Sequence, residues 1–152
     1  MTTRRVVIDT NVFVAACFGG HAAHVVASWL AGNLRAIISQ TTLDEYRHTL
    51  IRFPLAKPVQ VALWEAGFAD AKRSLWVSPE SEPNLCKDSA DNKFLAAALS
   101  GQATHLLTSD KLLLCIKNIE GTVICSARNF VEAGLALLPE KMQYEILNSN
   151  QE

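Results

Sequence analysis

Apolar residues along this chain alternate between two patterns: short continuous runs, and longer stretches spaced at three and four. The first run, Val6-Val7-Ile8, places three β-branched residues in succession and predicts a strand buried on both faces. Leu34 to Ile38, Leu75-Trp76-Val77, Thr104 to Leu107 and Thr122 to Cys125 predict further strands. Between them, helical spacing predicts a short helix from Val12 to Phe18 stopped by Gly19-Gly20, and a second from about His21 to Ala31. Further helices are expected from the turn Ser39 to Thr42 up to Pro54 and Pro58, over Val59 to about Arg73, over the alanine-rich run ended by Gly101, over Leu112 to Leu114, and from Ala127 or Arg128 to Leu138. Strands alternating with helices predict an α/β fold, a three-layer α/β/α sandwich on a mostly parallel sheet of about four to five strands. The expected division is one domain over residues 1–138 and a helical or frayed tail over 139–152, with Met142 to Leu147 as its helical part.

Composition narrows the class. At 152 residues, nearly half of them apolar, the chain can bury one core and is neither disordered nor fibrous. A formal net charge of -1 supplies no global attraction to nucleic acid, so contact with phosphates must come from a local patch or from bound cations. Cys17, Cys86, Cys115 and Cys125 show no zinc or redox spacing and are expected as reduced thiols. Arg4-Arg5 before an apolar run resembles the start of a signal peptide, but Asp9 and Asn11 interrupt it. No stretch approaches the roughly 20 apolar residues of a membrane span, so a cytoplasmic protein is expected.

Acidic residues then stand at telling places. Asp9 ends the first strand, where open α/β sheets place ligands, although Asp9 or Thr10 could equally cap the following helix. Thr42-Leu43-Asp44-Glu45 has the capping-box pattern, so capping and chemistry compete for Glu45. Asp88 and Asp91 precede the alanine-rich helix, and only one acid is needed as its cap. Thr108-Ser109-Asp110 closes a later strand. On a mostly parallel sheet Asp9, Glu45, Asp91 and Asp110 converge on one edge, where ionised carboxylates raise one another's pKa unless a cation compensates. Oxygen-only ligands favour Mg²⁺ or Mn²⁺, and such an ion serves phosphodiester hydrolysis without a side-chain nucleophile.

Four segments carry a resemblance: Val-Val-Ile-Asp-Thr-Asn-Val-Phe, Ser-Gln-Thr-Thr-Leu-Asp-Glu-Tyr, Lys-Asp-Ser-Ala-Asp-Asn-Lys-Phe-Leu-Ala-Ala-Ala-Leu and His-Leu-Leu-Thr-Ser-Asp-Lys-Leu-Leu. In this order, from about Arg5 to Phe130, they resemble a PIN domain, most closely the toxin-component branch related to VapC-type ribonucleases. The resemblance implies a Mg²⁺- or Mn²⁺-dependent ribonuclease of a type II toxin-antitoxin system, acting on RNA, neutralised by an antitoxin and often homodimeric. It places the catalytic and metal-binding acids at Asp9, Glu45, Asp91 and Asp110, with Asp88 auxiliary and Asn11, Thr108 and Ser109 as supporting polar positions.

Lys87, Lys93, Lys111 and Arg47 flank the acids, to hold RNA phosphates or to offset the negative charge. Two other readings remain open: a metal-dependent phosphatase, which usually has an acid where Asn11 stands, and a non-catalytic module binding RNA or protein. Trp64 and Phe68 are expected in packing, His21 and His24 as partly exposed, and helix faces around Trp29 and Trp64 as core or partner surface.

Overall fold

The computed structural model describes residues 3–52, 56–81 and 89–139. The sheet has six strands, five of them expected from the sequence: β1 (Arg4–Ile8), β2 (Leu34–Ile38), β3 (Ser74–Trp76), β4 (His105–Leu107), β5 (Asn118–Ile119) and β6 (Thr122–Cys125), of which β5 is the addition. Their spatial order is β3-β2-β1-β4-β6-β5, parallel except for the β5–β6 pair. The four to five strands expected become six because β5 is two residues long. It is joined to β6 by a tight turn with Glu120 and Gly121 at positive φ, and nothing local in its sequence marks it as a strand.

Val6, Val7 and Ile8 are all buried, as a central strand covered on both faces requires. From β1 the chain builds outward through β2 to β3, then returns past β1 to β4 and builds the other way. The strand order therefore reverses between β1 and β4, whose last residues, Ile8 and Leu107, pair directly. In doubly wound sheets that crevice, at the carboxyl ends of the strands, is where ligands bind.

Helices form both outer layers. Helices α1 (Thr10–Ala16), α2 (Gly20–Leu30), α3 (Gln40–Arg52) and α4 (Pro58–Ala69) lie between the first three strands. Helix α5 (Asn92–Gly101), preceded by a 3₁₀ turn over Ser89–Asp91, packs on β1, β2 and β4 and meets α3. Helices α6 (Lys111–Leu114) and α7 (Ala127–Glu132) follow β4 and β6, and α7 packs on α2. The small side chains of α5 allow close approach, with Ala97 and Ala98 fully buried and Gly101 set against Ile37 of β2.

Two helices are shorter than their sequence patterns predict, and α1 starts and ends two residues earlier than expected. Helix α1 ends at Ala16, α4 ends at Ala69 because the chain turns into β3, and α7 stops at Glu132 ahead of Gly134, whose φ of 75° cannot continue a helix. The helix expected around Met142 to Leu147 lies outside the described residues.

The core carries an aromatic cluster that fixes the site's supports. Phe13 of α1 packs against Trp29, Tyr46, Trp64 and Phe68 with ring centroids 4.8–5.8 Å apart, each pair adding about 0.5–1.5 kcal/mol beyond its buried area. Trp29 and Trp64 are thereby core residues and supply no partner surface. Val59 and Leu63, one turn apart on α4, are the large apolar side chains exposed there. The backbone carbonyls of Ala136 and Leu137 are held to α2 by His24 Nε2 (2.8 Å) and by the Ser28 hydroxyl (2.7 Å). No single helix among the described residues is long and apolar enough to cross a membrane.

Candidate active site

The site grows from the end of β1. Asp9 takes extended backbone angles at the N-cap position of α1, where its carboxylate feels the pull of the Asn11 N–H without reaching capping hydrogen-bond geometry. It is 2 % exposed and turns instead to β4, accepting a hydrogen bond from Thr108 Oγ1 at 2.6 Å. Thr108 also receives the Asp110 N–H at 3.0 Å, so one hydroxyl ties the ends of β1 and β4 together. The Asp9 carboxyl is pushed up to about 6, first by burial, against the pull of the Thr108 hydrogen bond and of the Asn11 N–H, and further by the charges of Glu45 and Asp110.

Glu45 is delivered by α3. The capping box of this helix is formed by Ser39 and Thr42, not by Thr42 and Glu45: the Thr42 N–H donates to Ser39 Oγ at 3.2 Å and the Ser39 N–H to Thr42 Oγ1 at 3.0 Å. That reciprocal pair leaves Glu45 free of any capping duty. Its Oε2 accepts from the Thr10 hydroxyl, and its Oε1 pairs with Lys93 Nζ at 3.0 Å. Tyr46, the next residue, is fully buried between Phe13 and Phe68 and donates its hydroxyl to the Ile8 carbonyl. The aromatic core thus fixes Glu45 opposite the residue before Asp9.

Asp91 and Asp110 complete the group. Asp91 is the N-cap residue of α5 but makes no side-chain cap, and its side chain is mostly buried. Asp110 caps α6, accepting the Leu112 N–H at 2.8 Å. It is held below the usual carboxylate range first by a hydrogen bond with Asp91, which outweighs the opposing effect of burial, and further by the amides of Leu112 and Leu113.

All four sequence-expected acids therefore meet at the β1/β4 crevice: Glu45 and Asp110 act on Asp9 through charge, and Asp91 touches Asp110. Among the described residues, no three acid, histidine or cysteine side chains stand as a ready-made ion-binding group. The acids are engaged with other partners. Glu45 is held by Thr10 and Lys93, while Asp91 and Asp110 hold each other. In chemistry the set fits a hard divalent cation, since every donor is oxygen and the buried Asp9 carries like-charged neighbours that a cation would relieve. Seating one requires Glu45 and the Asp91–Asp110 pair to exchange their present partners for it.

Of the supporting positions, Thr108 contacts Asp9 directly, while Asn11 and Ser109 are exposed and line, with Thr108, Ser126 and Arg128, a groove of about 160 Å³ beside it. Among the flanking cations, Lys93 faces the acids and Lys111 is exposed on α6. Arg47 points away from the acids and donates from Nε and Nη2 to both Glu65 oxygens at 2.9 and 2.8 Å. Asp88 and Lys87 lie outside the described residues. Sequence reasoning reached Thr10 only as a candidate helix cap and passed over Tyr46. Their position beside Asp9 and Glu45 was the available signal, but their partners are distant in the chain.

A family model described as PIN domain matches residues 5–112, a span that holds all four acids and ends within α6. Neither a curated protein nor a solved structure matches the chain. PIN domains are typically metal-dependent nucleases built as three-layer α/β/α folds. With the fold, the crevice and the matched span in agreement, this chain belongs to the PIN domain family.

Proposed function

We propose that this PIN domain is a Mg²⁺- or Mn²⁺-dependent endoribonuclease, the toxin component of a type II toxin-antitoxin pair. The observation that carries the nuclease reading is Asp9: a buried carboxylate at the crevice, pushed up to about 6, with Glu45 and Asp110 close enough to raise it. Such crowding costs stability in the folded protein and is relieved by a divalent ion.

In this reading Asp9, Glu45, Asp91 and Asp110 hold the ion, with Asp88 adding a further carboxylate. When bound, the ion lowers the pKa of a water and stabilises charge on the phosphodiester oxygens as the P–O bond breaks. The chain's own residues position these groups. Thr108 orients Asp9, Thr10 orients Glu45, and Asn11 and Ser109 offer polar contacts in the adjoining groove. Lys111 and Lys87 meet RNA phosphates. The phosphatase alternative is disfavoured by Asn11, an exposed amide where that chemistry places an acid.

The toxin role rests on the four-segment resemblance to the VapC-type branch and brings with it an antitoxin, a second copy of the chain and a cytoplasmic setting. Exposed Val59 and Leu63 on α4 support a partner surface. The test is incubation of purified protein with mixed RNA in Mn²⁺, in Mg²⁺ and in chelator, beside Asp9→Asn. Cleavage that requires the ion and is lost in the variant supports the reading. Cleavage unaffected by chelator, or no cleavage of any RNA, rejects it.

A further inference from the structure

Lys93 occupies an odd place for a lysine. It sits in the first turn of α5, where the helix dipole disfavours positive charge, so helix stability does not explain it. Its ammonium instead reaches across to α3 and stands 3.0 Å from Glu45 Oε1, with both side chains mostly shielded, at 21 % and 26 % exposed. The other Glu45 oxygen is taken by the uncharged Thr10 hydroxyl. Glu45 in turn faces Asp9, whose ionisation it opposes.

We propose that Lys93 is the resident counter-ion of the acidic site, holding Glu45 in the ion-free protein and competing with the divalent cation for it, so that Lys93 sets the site's ion affinity. The inference rests on the metal-binding reading above and adds to it how the site is poised. An ammonium supplies one positive charge to a crowded carboxylate group, whereas a divalent ion supplies two. Both draw on the same Glu45 carboxylate. Entry of the ion therefore means either displacing the Lys93 ammonium or binding beside it against charge repulsion, and both weaken binding. Lys93 has the opposite effect on the ion-free protein, which it protects from the mutual repulsion of its acids. One side chain thereby keeps the empty site folded at the expense of its affinity.

Two effects of opposite sign follow when the charge is removed. Lys93→Met, or Lys93→Gln should the methionine variant not fold, is expected to melt at a lower temperature in chelator and to bind Mn²⁺ roughly three- to tenfold more tightly. Lys93→Arg keeps the charge and is expected to bind Mn²⁺ within about twofold of the parent. A lysine with a purely structural role, or one that touches only substrate, would leave the Mn²⁺ dissociation constant unmoved.

The experiment is titration of the intact 152-residue chain, stripped with chelator, with Mn²⁺ alone, following free Mn²⁺ by electron paramagnetic resonance and melting by circular dichroism. Tighter binding in the neutral variants, with lower ion-free melting temperatures, supports the proposal. Unchanged or weaker binding in those variants, with saturable binding by the parent, overturns it. Absence of saturable binding by the parent protein overturns the metal-binding reading itself.

Discussion

Thr108 Oγ1 donates to Asp9 Oδ2 at 2.6 Å and accepts the Asp110 N–H at 3.0 Å, joining residues 99 positions apart in the chain through one fully buried hydroxyl. Thr108→Val keeps the shape and removes both bonds, leaving a buried carboxylate and an amide with one partner fewer. The expected loss is about 1–3 kcal/mol of stability at neutral pH, with Thr108→Ser close to the parent. Urea denaturation measures it, and equal stability of all three proteins would contradict the role assigned to this hydroxyl.

Asp9 makes stability depend on pH in a defined direction. Its folded-state pKa of about 6 lies above the ordinary 3.8, so between about pH 4 and 6 the folded protein holds more protons there than the unfolded chain. Stability is thus highest, on this account, at low pH and falls as pH rises through that window, by up to about 3 kcal/mol. Glu45 and Asp110 face the same carboxylate and add to the effect, while Thr108 and the Asn11 N–H reduce it. In chelator, Asp9→Asn is expected to be more stable than the parent at pH 7 and to match it near pH 4. Melting curves across that range provide the check, and a less stable variant at pH 7 would contradict the burial argument.

Arg47 is expected to matter little to RNA. Its guanidinium is paired with Glu65 on a surface where both side chains are substantially exposed, at 47 % and 39 %. Arg47→Ala should cost less than about 1 kcal/mol and leave RNA affinity within twofold at any salt concentration, whereas Lys111→Ala should weaken it and flatten its salt dependence. Filter binding at several salt concentrations separates the two.

Gly101 sits so close to β2 that an added Cβ would lie 2.7 Å from Ile37 Cδ1 and 2.8 Å from Cγ2. Gly101→Ala is therefore expected to destabilise by roughly 1–3 kcal/mol despite alanine's better helix propensity. A Gly101→Ala penalty that largely disappears in an Ile37→Ala background, measured by thermal melting of the single and double variants, would identify this contact as the cause.

The parts of the fold legible in the sequence were those written into local patterns. Val6-Val7-Ile8 could only be a strand covered on both faces, and β2 and β6 match their apolar runs end to end. The acids could be placed on one edge because each follows a strand or starts a helix. Where two roles fell on one residue, sequence could not choose. Thr42-x-x-Glu45 reads as a capping box and competes with chemistry for Glu45, but the strand ends at Ile38 and the helix starts at Gln40, so Ser39 and Thr42 form the reciprocal pair and Glu45 is released. Helix α4 is apolar on several sides, so its pattern did not tell buried Trp64 from exposed Leu63. The partners of Thr10 and Lys93 were hidden because each contact joins elements brought together by the sheet's topology, 35 and 48 residues apart.

The central claim is that Asp9, Glu45, Asp91 and Asp110 together hold a divalent ion. A crystal soaked in Mn²⁺ and measured at the manganese absorption edge tests it most directly. The expected result is an anomalous peak about 2.0–2.3 Å from an Asp9 oxygen and from at least one other of these acids, with Glu45 drawn away from Lys93. A crystal with the four carboxylates ordered and no peak beside Asp9 would contradict it.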